Sequence, residues 1–142
     1  MSVEIRTAGS DEKIGALRPI WHYFGGPAGP EKEQAERMLI PEGRIHVAVD
    51  GGEIVAGAGA FEFDLTVPGG PIRAAGPTVV GVLPTHRRRG VLRELMRAQL
   101  EDVHTRGEPV ATSRGEPGQS TGCAKRVWPF GISMSPATEA RP

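Results

Sequence analysis

The feature that most constrains the fold is a strand, a tight turn and a helix that follow one another directly between residues 78 and 107. Residues 78–83 are β-branched and apolar, as in a buried strand, and Gly81 among them indicates a bulge or a close backbone approach. After Gly90, apolar residues recur at steps of three and four, and Gly107 is a typical C-terminal stop. This predicted stripe consists of Leu92, Leu95, Met96, Leu100 and Val103. The stretch therefore predicts a helix packed on a sheet.

Three consecutive arginines, Arg87, Arg88 and Arg89, stand where this helix is expected to begin. A helix N-terminus carries partial positive charge, so each exposed cation there costs about 0.3–1 kcal/mol. An anion docked on the same spot would offset that cost, because free N–H groups at a helix start bind phosphates and Gly90 has no side chain to obstruct them. The alternative is a solvated basic turn. The unfavourable position of the charge favours the phosphate site.

The remaining patterns predict a fold of the α/β (α+β) class, a mixed sheet with flanking helices. Strands are expected at residues 3–6, 44–49, 54–67 and 72–83, with glycine-containing turns at 50–52 and 68–71. One helix is expected after Ser10 or Asp11 as N-cap, interrupted by Pro19, and a second at residues 31–39. Residues 108–111 are expected to start a short parallel strand, after which the sheet is truncated.

Composition excludes several classes of function. The 142 residues allow a single domain, and 17 Lys and Arg against 17 Asp and Glu give no net charge. We therefore expect no general attraction to nucleic acid or to a membrane surface. The sequence has no apolar run that could span a bilayer and no secretion leader. A single cysteine, Cys123, cannot form an internal disulfide, so we expect a cytoplasmic protein.

Residues 84–92 resemble the coenzyme A-binding segment of the GNAT superfamily of N-acetyltransferases. The pattern of that segment is Arg or Gln, two residues, Gly, one residue, then Gly or Ala. Arg87, Gly90 and Leu92 occupy those places, with Leu92 replacing the usual small residue. Together with the string LTVPGG at residues 65–70, the segment is similar to the Eis-type (enhanced intracellular survival) branch. The similarity runs from about Val3 to Ala111 and corresponds to the amino-terminal part of such enzymes.

The resemblance implies an N-acetyltransferase that uses acetyl-CoA as cosubstrate. In the family, backbone groups of the central strand hold the pantetheine arm, and N–H groups of the arginine-rich turn hold the pyrophosphate. Carried over to this chain, the pantetheine contacts fall on Val80, Gly81 and Val82. The pyrophosphate contacts fall on Arg88, Arg89, Gly90, Val91, Leu92 and Arg93, with Arg87 at the first basic place. The implied partners are a small-molecule or protein amine as acceptor and, in the full-length family, further copies of the same chain.

The catalytic groups that the resemblance implies are not found in this chain. The general acid of Eis-type enzymes is a tyrosine beyond the strand that follows the helix, whereas the one tyrosine here is Tyr23. The family's C-terminal carboxylate, its base, belongs to a much longer chain. We therefore assign no catalytic residue and expect a truncated enzyme with impaired catalysis. The alternative is a non-catalytic remnant that binds acyl-CoA.

The character of the sequence changes after Thr112. We expect residues 1–112 to form the partial acetyltransferase domain and residues 113–142 to be a divergent, disordered tail. This tail is rich in Gly and Pro and has no sustained hydrophobic period. A shifted reading frame in GC-rich DNA would produce such a composition.

Other candidate residues favour structural roles. The four histidines have no metal-ligand spacing, and we expect no metal site; they are His22, His46, His86 and His104. Glu62 and Asp64 lie two apart on one strand face and could attract an acceptor amine, although the solvated side of a sheet is the commoner explanation. Nucleic-acid binding through residues 86–89 is the least favoured reading, since one basic turn in a neutral chain offers few phosphate contacts.

Overall fold

A computed structural model describes residues 3–22, 29–30 and 40–112 of the chain. Along the sequence, the elements are β1 (Glu4–Thr7), α1 (Lys13–Trp21), β2 (Ile45–Asp50), β3 (Glu53–Val67), β4 (Gly70–Val82), a 3-10 turn (Pro84–His86), α2 (Val91–Thr105) and β5 (Val110–Ala111). The helix predicted at 31–39 and the tail from residue 113 lie outside the described residues. Within the described ranges, no helix combines the length and apolar character that a bilayer crossing requires.

The strands form one mixed sheet in the order β1-β2-β3-β4-β5. The pairs β1–β2, β2–β3 and β3–β4 are antiparallel. β5 pairs in parallel with β4 through Val110 opposite Ala74 and Ala111 opposite Ala75. The α/β class with a mixed sheet and flanking helices is confirmed, and so is the parallel strand predicted after the helix.

Glycines make both hairpin turns at the predicted places. Gly51 and Gly52 have φ angles of 58° and 86°, and Gly69 and Gly70 have φ angles of 103° and 131°. These left-handed conformations are strained for residues with a side chain, so glycine is the residue that the turns require.

Helix α1 lies against one face of the sheet with almost no space between the two backbones. A β-carbon on Gly81 would lie 2.6 Å from the amide nitrogen of Ile20, and one on Gly57 would collide with the carbonyl oxygen of Ala16. Gly57 and Gly81 face each other across β3 and β4. The two glycines therefore leave room for the backbone of α1 to contact the sheet. This is the close backbone approach that the sequence predicts at Gly81.

Helix α1 differs from the sequence prediction at its start, and it runs through Pro19 as a single helix instead of being interrupted there. The helix follows Glu12, and no side chain caps it. Glu12 instead accepts a hydrogen bond from the backbone N–H of Gly9 at 2.8 Å and two from the guanidinium of Arg6 at 2.7 Å. The hydrogen bonds from Arg6, followed by that from Gly9, lower the pKa of Glu12 to about 2. This carboxylate thus links β1 to the entry of α1.

Helix α2 packs on the opposite face, but with a stripe different from the one predicted. Its buried residues are Val91, Leu95, Gln99 and Val103. Leu92, placed on the buried stripe by the sequence, is 45% exposed. Successive helical residues are turned by about 100°, so a helix that points Val91 at the sheet must point Leu92 away from it. Alanines lie beneath this part of α2 and let it approach closely: Ala48, Ala56 and Ala58.

Acidification should destabilise the fold through His46. This imidazole is 5% exposed, and its Nδ1 has no hydrogen-bond partner among the described residues. Burial lowers the pKa of His46 below its ordinary 6.5, the charge of Asp102 opposes the shift and that of Arg106 adds to it. The unfolded chain therefore takes up a proton first as the pH falls.

The free energy of unfolding should accordingly be insensitive to His46 above pH 6.5 and decrease below it, by about 1.4 kcal/mol per pH unit until the folded-state pKa is reached. Urea unfolding at several pH values would measure this slope. His46→Leu should flatten it, whereas replacement of the exposed His104 by Gln should not. An unchanged slope in His46→Leu would contradict the assignment.

Candidate functional site

Most of the edge of β4 that faces β5 is unpaired among the described residues, and we call this part of the strand the open edge. The two strands pair only at Ala74 and Ala75, and the N–H of Thr112 donates to the carbonyl of Ala75. Beyond that point, no strand within the described part of the chain pairs with this edge of β4. The opposite edge pairs with β3 as far as Val82 opposite Ala56. The open edge can therefore receive an extended ligand as an additional strand would be received.

A bulge interrupts β4 just before the predicted contact residues. Gly57 faces Gly81 and Gly59 faces Thr78, so Ala58 faces two residues, Val79 and Val80. Val79 has a φ angle of +46°, an unusual conformation for a β-branched residue. Such strain persists where the surrounding structure imposes it, and it is frequent at functional sites.

The turn between β4 and α2 presents backbone donors. After the 3-10 turn, Arg87 is extended, Arg88 has a φ angle of 60° and Gly90 one of 80°. Helical hydrogen bonding resumes when the N–H of Glu94 donates to the carbonyl of Gly90. Among the described residues, the backbone N–H groups of residues 88–93 donate no hydrogen bond to a backbone carbonyl. Free donors and the positive end of α2 thus converge at one place.

The ten residues predicted from the sequence lie at the end of β4, in the following turn and at the start of α2. Val80, Gly81 and Val82 lie at the end of β4, and Gly81 and Val82 are buried. The side chains of Arg87, Arg88, Arg89 and Arg93 are exposed, as is Leu92, whereas Val91 is buried under the start of α2. The buried and apolar members can contribute only backbone groups to a ligand. The exposed arginines add positive charge around them.

A depression of about 280 Å³ lies beside the same turn, on the side of β1. Val3, Ile5, Arg89, Gly90, Val91 and Glu94 line it. It does not touch the end of β4, and the carboxylate of Glu94 would repel a phosphate there. The depression therefore shares Arg89, Gly90 and Val91 with the stretch predicted from the sequence but leaves out the end of β4.

The acidic pair on β3 is partly engaged within the protein. The carboxylate of Glu62 lies 3.4 Å from Arg44 Nη1 and 3.6 Å from Arg73 Nη2. These cations reduce the attraction that Glu62 would exert on an amine. No group of three or more His, Cys, Asp and Glu side chains within residues 3–22, 29–30 and 40–112 could hold a metal ion. Tyr23 and Cys123 lie outside the described residues.

Sequence reasoning missed the residues that support the turn. The sequence places Asp50 in a hairpin turn, and it offers His86 as a metal ligand or as part of a basic turn, without connecting the two residues. The structure places His86 Nε2 3.0 Å from Asp50 Oδ2, across 36 residues of sequence. It also pairs Arg44 with Glu108 across 64 residues. No local pattern in the sequence signals either contact.

Sequence comparisons with known proteins indicate the family of the chain. The sequence profile of the acetyltransferase (GNAT) domain matches residues 4–114. An uncharacterised N-acetyltransferase of Streptomyces avermitilis is 41% identical over 113 residues, covering 78% of this chain and 28% of that protein. The N-acetyltransferase Eis of Mycobacterium tuberculosis is 39% identical over 123 residues, covering 83% of this chain and 31% of that protein.

Solved structures lead to the same family. The crystal structure of Eis1 from Mycobacterium abscessus matches with a TM-score of 0.70 and 35% identity, covering 83% of this chain and 29% of that one. The chain therefore spans less than a third of the length of these relatives. With a family profile that covers residues 4–114 and the fold that such relatives share, the chain belongs to the GNAT family of acetyltransferases.

Proposed function

We propose that this chain is the cosubstrate-binding, amino-terminal part of an acetyl-CoA-dependent N-acetyltransferase that transfers acetyl groups to an amine. The observation that carries the proposal is the set of free N–H groups at residues 88–93, placed at the start of α2 beside the open edge of β4. Residues 1–112 form the domain in this proposal, and residues 113–142 form a divergent tail.

The pyrophosphate of acetyl-CoA would lie on the turn. Its oxygens are acceptors without donors of their own, and the backbone N–H groups of residues 88–93 are donors without acceptors among the described residues. Gly90 leaves open space above this backbone, because no atom lies within 4 Å of the place where its β-carbon would be. Arg87, Arg88 and Arg89 would supply the charge that a phosphate group requires.

The pantetheine arm would lie along β4. It contains two amide groups, and the open edge beyond Ala75 offers backbone groups to pair with them. The bulge at Val79 and Val80 would set the direction in which Val80, Gly81 and Val82 face this arm. The acetyl group would then be held in position for attack by an acceptor amine, which is the main source of rate in a direct transfer.

Replacing Gly90 with Glu should weaken coenzyme A binding by about 100-fold or more. The new carboxylate would occupy the pyrophosphate position, and each charge-assisted hydrogen bond lost is worth about 1.5–3 kcal/mol. Isothermal titration calorimetry with coenzyme A would measure the effect. Equal affinity in the variant and the unmodified chain would refute the proposed site.

Gly107→Glu is the matched control. Gly107 ends the same helix with a φ angle of 75°, close to the 80° of Gly90, and it too has open space around a β-carbon. The two variants therefore introduce similar backbone strain and the same charge. Only the variant at residue 90 should lose binding. Equal losses in both would point to destabilisation of α2 instead of a blocked site.

A non-catalytic role in binding acyl-CoA is the second candidate. The observation that favours it is that Tyr23 is the one tyrosine of the chain, so the tyrosine acid of the Eis-type resemblance has no counterpart after α2. Both candidates share the same cosubstrate site, and measured turnover separates them. For both candidates, we propose an amine-bearing molecule as the acceptor or partner. The proposed compartment is the cytoplasm. Self-association is proposed for the full-length enzyme.

A further inference from the structure

The carboxylate of Asp50, in the hairpin between β2 and β3, contacts the arginine-rich turn. Asp50, at the end of β2, has its Oδ2 3.0 Å from His86 Nε2 and 3.9 Å from Arg89 Nη1. The Oγ1 of Thr85 lies 2.8 Å from His86 Nδ1. The side chains of Asp50 and His86 are only 15% and 16% exposed, so this contact is largely shielded from water.

The direction of the central hydrogen bond follows from the chemistry of the partners. An ionised carboxylate only accepts hydrogen bonds, so Nε2 of His86 must carry the proton that it shares with Asp50. Nδ1 then accepts from the hydroxyl of Thr85 in the neutral imidazole, or donates to it in the imidazolium. In both charge states, His86 is held at both ring nitrogens.

The anchor of this contact is rigid, whereas the turn has few fixed points of its own. β2 is paired on both sides, with β1 and β3, and Asp50 faces Glu53 across the hairpin. In the turn, the N–H groups of His86 and Arg87 bond to Leu83 and Pro84. The next backbone hydrogen bond of the turn begins at Glu94. The side chain of His86 is thus a fixed point just before the free donors.

We propose that Asp50 is a positioning residue for the pyrophosphate turn. Acting through His86, and by holding the guanidinium of Arg89, it fixes the direction in which the N–H groups of residues 88–90 point, without touching the cosubstrate itself. This inference rests on the proposed function, because it assumes that those N–H groups bind the pyrophosphate. Donors that are already oriented lose less entropy when the ligand arrives.

The sign of the change in coenzyme A affinity on replacing Asp50 separates a positioning role from simple electrostatics. Coulomb's law alone predicts that removal of a carboxylate beside the turn would strengthen the binding of an anion. A positioning role predicts the opposite. Asp50→Ala in the full 142-residue chain should bind coenzyme A about tenfold more weakly in calorimetry, in line with the loss of one charge-assisted hydrogen bond.

Matched variants isolate the contact. Asp64→Ala removes the same charge from an exposed position on β3 and should leave the affinity unchanged. His86→Ala should also weaken binding, and the double variant should bind no more weakly than Asp50→Ala alone. His86→Gln, whose amide N–H can reach Asp50, should restore most of the affinity. A double variant with additive losses, or no rescue by Gln, would overturn the mechanism through His86.

Backbone dynamics test the inference without ligand. Amide ¹⁵N relaxation at residues 88–90 should give order parameters of about 0.85 in the unmodified chain and below about 0.6 in Asp50→Ala. If the unmodified chain failed to bind coenzyme A, the proposed function would be wrong, yet this measurement would still decide the positioning role. Affinity that is equal or tighter in Asp50→Ala, or order parameters that do not change, would overturn the inference.

Discussion

Replacing Glu108 with Ala should lower the free energy of unfolding by about 3–5 kcal/mol, because it leaves the buried guanidinium of Arg44 without its buried carboxylate partner. The two side chains are 0% and 1% exposed, and they form two hydrogen bonds of 2.7 and 2.8 Å. The hydrogen bonds that Arg44 donates to Glu108 raise the pKa of Arg44 above its ordinary value. A guanidinium keeps its proton near neutral pH even without this carboxylate, so the variant would leave a buried charge. Small domains have only about 5–15 kcal/mol of stability in total.

Urea unfolding followed by circular dichroism would measure this loss. Glu62→Ala is the control, since Glu62 also approaches Arg44 but is half-exposed, and exposed ion pairs contribute at most about 1 kcal/mol. The double replacement Arg44→Met with Glu108→Met should recover most of the stability, because it removes both buried charges together. A double variant as unstable as Glu108→Ala would contradict this explanation.

The Arg44–Glu108 pair also lies near the proposed cosubstrate site. Glu108 lies two residues before β5, and Arg44 directly precedes β2, so the pair connects the segment that leads into the short parallel strand with the start of β2. The point at which β5 leaves β4 defines the start of the open edge. Loss of the pair should therefore loosen the part of the sheet that borders the proposed pantetheine groove.

Acetyl transfer by this chain should be slower by about 10²–10⁴-fold than by a GNAT enzyme that has its general acid. The proposed site would bind and orient acetyl-CoA, but the chain contains no tyrosine after Tyr23 to protonate the leaving thiolate. A thiol-release assay with acetyl-CoA and a panel of primary amines, including a polyamine, an amino sugar and a lysine peptide, would measure the rate.

Calorimetry with coenzyme A is the necessary control, because a slow rate bears on the missing acid only if the cosubstrate is bound. Release of thiol without amine gives the background of hydrolysis. Turnover near the ordinary enzyme median of about 10 s⁻¹ with any amine would refute the prediction and the non-catalytic alternative with it.

Local features of the sequence were sufficient to predict most of the elements. The strand that contains Gly81, the start of a helix after Gly90 and its end at Gly107 were all confirmed. The hairpin at Asp50 and the short strand β5 were confirmed as well. These features depend on backbone preferences and on hydrophobic spacing within a few residues, and such information is present in any short window of the chain.

The sequence by itself thus determined the order of strands and helices, the glycine turns and the arginine-rich start of α2. Only the tertiary structure decided that Gln99 is buried while Leu92 is exposed, that Arg44 meets Glu108, and that Asp50 meets His86. Periodicity shows that a helix has an apolar side, but the close approach of the sheet selects which row of side chains is buried. Contacts across 36 or 64 residues arise only when the sheet brings distant strand ends together, because no local preference of the chain encodes them.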